Sequence, residues 1–144
     1  VDTSAHAPWE YLEEIAAVAD LFLVDLKHTD DARHLALTGI SNRLILANIA
    51  RMLEAGWPVI LRVPWVPTLN AEESFLSGLR SFLGSFANCP TIEFVPYHRL
   101  GLAKWAALGV AATMPESIPA ATVEQIRPWM DSLRAAGISV TLAR

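Results

Sequence analysis

The sequence predicts an α/β fold made of parallel βα units, and three observations lead there. Four short apolar runs alternate with segments of helical periodicity. The runs begin near residues 20, 58, 91 and 138, at intervals of 38, 33 and 47 residues, and the run from Pro58 to Pro64 is apolar almost throughout. Strand and helix in alternation is the pattern of right-handed crossovers around a parallel sheet. Near-continuous apolar strands are typical of parallel sheets covered on both faces. Intervals of this size fit successive βα units, the last with an inserted loop. Four strands cannot close an eight-stranded barrel, so the sheet is either small and open or part of a larger curved one.

Taken in order, Pro8 to Ala19 reads as a helix with Trp9, Leu12, Ile15 and Ala16 on its apolar side, leading into a strand from Asp20 to Leu26. A second helix is predicted from Ser41 to Ala55, with Leu44, Ile45, Asn48, Ile49, Met52 and Leu53 facing inward and Gly56 as its stop. The strand Pro58–Pro64 follows, then a helix over Glu72–Phe86 with Phe75, Leu76, Leu79, Phe82 and Leu83 at three-four spacing, and a strand over Thr91–Val95. After a long connection from Gly101 to Pro119, a helix over Ala120–Ala136 is expected to kink at Pro128. Gly137 closes it, and Ile138–Leu142 is the last strand. With no repeat, low-complexity tract or linker, residues 1–144 read as one domain. Trp57, Trp65 and Trp129 read as packing aromatics.

Composition narrows the function. The 144 residues are 53% hydrophobic and 18% charged, which predicts a well-buried core rather than disorder. Eleven basic residues stand against fifteen acidic ones with no basic run, so neither nucleic acid nor an anionic membrane surface is an expected partner. Charges interrupt every apolar stretch well short of a bilayer span. A single cysteine, Cys89, excludes an internal disulfide, a cysteine-based zinc site and an iron–sulfur cluster ligated by these residues alone. The opening Val1-Asp2-Thr3 has no methionine, charged n-region or apolar h-region, so it reads as a start in the middle of something rather than a signal peptide.

In parallel α/β folds, functional groups collect at the carboxyl ends of the strands. Asp25 and Lys27 end the first full strand, Arg62 sits inside the second and His98 follows the third. Asp2 and Thr3 open the chain, where an earlier strand could be ending. Asp25 and Lys27 lie two apart and share a face, which suits a simple ion pair. Arg62 in an apolar strand needs a carboxylate partner, structural or ligand-borne. A lone histidine after a strand is an ordinary loop residue, His28 and His34 read as surface or helix-end residues, and His6 is uninformative. No G-x-S-x-G elbow, Walker loop or dinucleotide fingerprint is present. Taken together, an aspartate, a lysine, an arginine and a histidine above one sheet suit a small zwitterionic or anionic ligand.

Further stretches complete a family pattern. They are Asp25-Leu26-Lys27-His28-Thr29-Asp30, then His34, Thr38-Gly39-Ile40-Ser41-Asn42, Leu44-Ile45-Leu46 and Asn48. Arg62-Val63-Pro64 with Pro67 and Asn70 follows, and then Pro96-Tyr97-His98-Arg99-Leu100-Gly101 with Lys104-Trp105 and Leu108-Gly109. Together with Asp2-Thr3-Ser4-Ala5-His6-Ala7, the sequence resembles the glycyl-radical enzyme activating enzymes. These are the radical S-adenosylmethionine family that includes the pyruvate formate-lyase activating enzyme. The resemblance runs over nearly the whole chain, and its most specific part is the P-Y-H-x-L-G-x-x-K-aromatic stretch.

The resemblance implies the carboxy-terminal half of a partial (βα)6 barrel. The family's amino-terminal half carries a C-x3-C-x2-C loop for a [4Fe-4S] cluster and a G-G-E-P stretch for the methionyl amine, and this chain holds neither. It implies that Asp25, Lys27, Arg62 and His98 contact S-adenosylmethionine. It also implies that Asp2, Thr3 and Asp25, with a carbonyl near Leu23, form a monovalent-cation site. In the complete enzyme, reductive cleavage of the cofactor gives methionine and a 5′-deoxyadenosyl radical, which takes a hydrogen from a glycine α-carbon of a partner glycyl-radical enzyme. Flavodoxin or ferredoxin is the expected electron donor, and the cytoplasm the expected location. Thr38-Gly39 and Asn42 are expected to shape a loop and cap the next helix, while Tyr97 and His34 carry no assignable chemistry. Trp65 departs from the family's aliphatic residue, and Val110–Ala121 matches nothing diagnostic. Two other readings share the scaffold: a different radical S-adenosylmethionine reaction, and a cluster-free docking domain. Alone, the chain is expected to self-associate through its open edge and face, and to bind the cofactor weakly.

Overall fold

A computed structural model describes residues 1–99, 107–109 and 117–143. Among them is a five-stranded sheet: β1 (Asp2–Thr3), β2 (Phe22–Asp25), β3 (Val59–Trp65), β4 (Thr91–Pro96) and β5 (Val140–Leu142). Every adjacent pair is parallel, and the order across the sheet is the order along the chain. The helices between them are α1 (Trp9–Ala16), α2 (Asp31–Thr38), α3 (Arg43–Glu54), α4 (Glu73–Leu83) and α5 (Val123–Ala135). This is the α/β architecture of parallel βα units that the alternation predicted. Among the described residues no helix is long and apolar enough to cross a membrane.

Successive parallel strands joined by crossovers of one hand put their helices on one side. Burial follows that rule with a period of two. In β3, Val59, Leu61, Val63 and Trp65 are buried while Ile60, Arg62 and Pro64 are half-buried. Phe22 and Val24 of β2 and Ile92 and Phe94 of β4 continue the buried face. Ile45, Ile49 and Met52 of α3, Phe75 and Leu79 of α4, and Ile126 and Leu133 of α5 pack with them into one core. The expectation of a sheet covered on both faces is corrected: the apolar run in β3 still alternates, with Arg62 as its one charged residue on the open side.

Several boundaries differ. Helix α1 stops at Ala16, and Ile15 is 38% exposed, so Trp9, Leu12 and Ala16 make its inner side. Leu44, expected inward on α3, is 41% exposed. Helix α2 was not expected, because one residue, His34, is all it buries. Local bonds hold it instead. The Asp30 side chain accepts from Arg33 N–H at 2.8 Å, and Gly39 ends the helix with a left-handed φ of 80° that favours glycine. His28 and His34, expected at the surface or at helix ends, are 0% and 2% exposed, and His34 lies within α2. Strand β3 runs one residue past the expected Pro64, since Pro64 and Trp65 pair with Val95 and Pro96. Pro128 sits inside α5 without ending it, and Thr122 and Gln125 cap the helix reciprocally.

The tryptophans pack as expected. Trp57 stacks between Trp9 (4.9 Å) and Phe22 (5.3 Å), and Trp65, Phe75 and Phe94 meet Trp129 edge-on at 6.0–6.2 Å. Leu100, Gly101, Lys104 and Trp105 of the family pattern, and most of Val110–Ala121, lie outside the described residues.

Candidate functional site

The polar groups of the open face converge near the carboxyl ends of β1, β2 and β3. Register explains it: Asp25 is the direct neighbour of Arg62, Asp2 is the neighbour of Leu23 one rung back, and Lys27 continues the Asp25 side of its strand. The Arg62 guanidinium donates from Nε to Asp25 Oδ1 at 3.0 Å and from Nη2 to Asp2 Oδ1 at 2.5 Å. Asp25 is shared, because its Oδ2 lies 3.3 Å from Lys27 Nζ. Burial alone would lower the Arg62 pKa, but the charges and hydrogen bonds of Asp25 and Asp2 outweigh it and hold the pKa above its ordinary value. Arg62 therefore has the carboxylate partners it needs within the chain.

Lys27 is differently placed. Among the described residues one carboxylate contacts it, 39% of its side chain is exposed, and it lines two neighbouring cavities. The larger, about 330 Å³, opens beyond β2 and β3 between Lys27, Thr38, Pro64, Val66, Leu69 and Asn70. The smaller, about 170 Å³, includes Ser4, Asp25 and His34. A mostly apolar pocket with one ammonium at its wall suits a ligand that carries one anionic end.

Two expected contacts are not drawn into this cluster. His98 is exposed beyond β4, and among the described residues no hydrogen bond or ion pair joins it to the others. Thr3 pairs with Val24, on the covered side, and its hydroxyl accepts from Ala5 N–H at 3.0 Å. The structure does not bring its side chain to Asp2 and Asp25, and those two carboxylates share Arg62.

Residues that sequence reasoning left without a role hold the loop after β2. Asn42 precedes α3 but does not cap it. Its amide donates to the carbonyls of His28 and Thr29, both at 2.9 Å, while Asp31 Oδ1 accepts from the Ser41 hydroxyl at 2.6 Å and from Asn42 N–H at 3.0 Å. The expected loop-shaping role stands; the capping role is corrected. Asn70, 3% exposed, donates to the Lys27 carbonyl. His28 Nδ1 accepts from Asp30 N–H at 3.0 Å, which leaves the proton on Nε2, and its ring stacks on Phe75 at 4.7 Å. Burial, with the charge of Arg33, lowers the His28 pKa, which favours the neutral ring. Helix α4 comes so close to this loop that a Cβ on Gly78 would collide with Thr29 Oγ1. The one sequence signal for the asparagines was their place in the family pattern.

No family model matches the chain. It is 39% identical over 112 residues to the choline trimethylamine-lyase activating enzyme of Oleidesulfovibrio alaskensis, covering 76% of this chain and 36% of that protein. It is 36% identical to the (2S)-3-sulfopropanediol sulfolyase activating enzyme of Bilophila wadsworthia, with the same two coverages. Against the pyruvate formate-lyase-activating enzyme of Staphylococcus aureus the identity is 37%, over 70% of this chain and 40% of that protein. A crystallised domain of pyruvate-formate lyase-activating enzyme from Bacteroides vulgatus superposes with a TM-score of 0.80 at 28% identity, covering all of this chain and 80% of that one, in keeping with a partial barrel. A radical SAM methyltransferase from Sphaerobacter thermophilus shares the fold, with a TM-score of 0.70 at 19% identity over 99% of this chain and 39% of that one. The homologues of this chain are therefore glycyl-radical enzyme activating enzymes, and it spans 36% to 40% of the length of the three curated relatives it matches here.

Proposed function

We propose that residues 1–144 form one domain, the carboxy-terminal portion of a radical S-adenosylmethionine enzyme that activates a glycyl-radical enzyme by taking a hydrogen from a glycine α-carbon. The observation that carries this reading is the 36–39% identity to activating enzymes across 70–76% of the chain. The site supports it. Lys27 stands at the wall of the larger cavity with N–H donors beyond the one directed at Asp25, which fits the cofactor's carboxylate. Asp25 orients Lys27, and Arg62 fixes Asp25 in turn. His98, beyond β4, offers a polar edge at the same end of the sheet. What S-adenosylmethionine supplies when bound is the hydrogen-abstracting radical; these residues would bind and orient it.

Two other groups fare differently. A [4Fe-4S] cluster does not fit the residues of this chain, since Cys89 lies before β4, at the opposite end of the sheet from Lys27. Its ligands, and those for the cofactor's amine, belong in this reading to a preceding half. A monovalent cation does not fit Asp2, Thr3 and Asp25 as they stand, because Arg62 already bridges the two carboxylates. Flavodoxin or ferredoxin as electron donor, a glycyl-radical enzyme as protein substrate, and self-association of the isolated chain complete the reading.

The direct test is the coding DNA upstream of Val1. An in-frame C-x3-C-x2-C followed by a glycine-rich stretch is expected. A start codon at Val1 with no cysteines before it would overturn the proposal.

A further inference from the structure

We infer that Asn70 is a positioning residue for the ligand site: it props the end of β2 away from β3 and fixes the backbone that carries Lys27. The inference rests on the reading that Lys27 meets an anionic ligand group.

Strands β2 and β3 stay in register as far as Asp25 and Arg62, and Leu26 N–H to Arg62 O, at 2.9 Å, is the last rung. In a parallel ladder the next rung on that side needs an N–H from residue 64. Residue 64 is proline and has none. Neighbouring strands that stop bonding leave backbone groups to be satisfied some other way. Past that rung, Asn70 satisfies the carbonyls of Lys27 and Pro64. The turn from Val66 brings it back, with Asn70 N–H on Val66 O at 3.2 Å and Asn70 Oδ1 accepting Val66 N–H at 2.8 Å. Its Nδ2 then donates to Pro64 O at 2.6 Å and to Lys27 O at 3.1 Å. One buried amide thus bridges the two strands at the point where their own ladder fails.

The larger cavity opens at that split, and Lys27, Pro64 and Asn70 all lie on its wall. In parallel α/β folds functional groups collect at the carboxyl ends of the strands, and the cavity opens at that end of β2 and β3. Here the separation has an identifiable cause: a missing donor at Pro64 and an inserted amide at Asn70. Removing the amide orphans the carbonyls of Lys27 and Pro64 and the N–H of Val66, and it frees the segment from which the Lys27 side chain projects.

The test uses the full chain labelled with [ε-13C]lysine. Lys27 and Lys104 are its two lysines, and the Lys27 signal is assigned by its loss in Lys27→Arg. Asn70→Asp keeps the size of the side chain but replaces both N–H donors with a carboxylate facing two carbonyls. In the folded, ligand-free variant the Lys27 signal is expected to move toward that of a free lysine, and S-adenosylmethionine binding to weaken by about tenfold. A role confined to stability would lower the melting temperature and leave both unchanged, and that result overturns the inference. If Asn70→Asp does not fold, exchange of the Asn70 side-chain N–H protons in the wild-type chain decides. Exchange at least about tenfold slower than at exposed Asn88 supports the bridge, and equal rates overturn it. If S-adenosylmethionine leaves the Lys27 signal unmoved in the complete reading frame that contains this chain, the ligand reading fails, while the ligand-free spectra of the chain still decide the role of Asn70.

Discussion

On the covered face of the sheet Leu61, Val63, Ile92 and Phe94 are wholly buried, while on the open face of the same two strands Arg62, Pro64, Glu93 and Val95 are half-buried. The difference comes from topology rather than from the strands themselves. Five parallel strands in chain order send all their helices to one side, so one face must be apolar and closely packed. The other is free to carry charge. The covered face thus supplies most of the folding energy. The open face carries the charged groups, with Asp2, Asp25, Lys27 and Arg62 linked across three strands.

The comparison breaks most readily in β3. Leu61→Ala should destabilise the chain by about 2–5 kcal/mol in urea melts, because it empties a position packed on every side. Ile60→Ala, one residue away on the open face, should cost about 1 kcal/mol. Equal losses would mean that the open face is packed as closely as the other.

A smaller effect is expected where α4 meets the β2–α2 loop. Gly78→Ala gains up to about 1 kcal/mol of helix propensity, but it drives a methyl group into Thr29 Oγ1. The net loss should be about 1–3 kcal/mol, partly recovered by adding Thr29→Ala. A stabilised Gly78→Ala would show that the loop yields, and with it the claim that the Lys27 segment is rigidly held.

The pH dependence sharpens the same point. The His28 pKa is lowered in the fold, so below the unfolded value of about 6.5 the unfolded chain binds more protons. The stability is fully present above that pH. It is lost progressively as pH falls through it toward the folded-state value. His28→Gln should remove this part of the slope in melts between pH 7 and 5, and an unchanged slope would place the titration elsewhere.

Much of the fold was legible because periodicity reports packing. The buried positions of α3 and α4 and the strands β3 and β4 follow from apolar spacing alone. Helix α2 was not legible, since it buries only His34 and is held by Asp30 and Gly39, local bonds that leave no hydrophobic pattern. The charged cluster was half legible. Period two put Asp25 and Lys27 on one face, but no sequence rule gives the register that sets Asp25 beside Arg62. The same register turns Thr3 away from Asp2 and Asp25. Asn42 and Asn70 were invisible as scaffolding because their partners are main-chain carbonyls up to 43 residues away.

The central claim, that the open face is the cofactor face of an activating enzyme, is tested most directly by electron paramagnetic resonance. The complete reading frame containing this chain would be mixed with S-adenosylmethionine, a reductant and candidate glycyl-radical enzymes. The account predicts a glycyl-radical signal on one candidate, formed at least about tenfold more slowly by Lys27→Ala, as loss of one charge-assisted contact requires. A glycyl radical formed equally fast with Lys27→Ala, or no radical on any candidate, would contradict it.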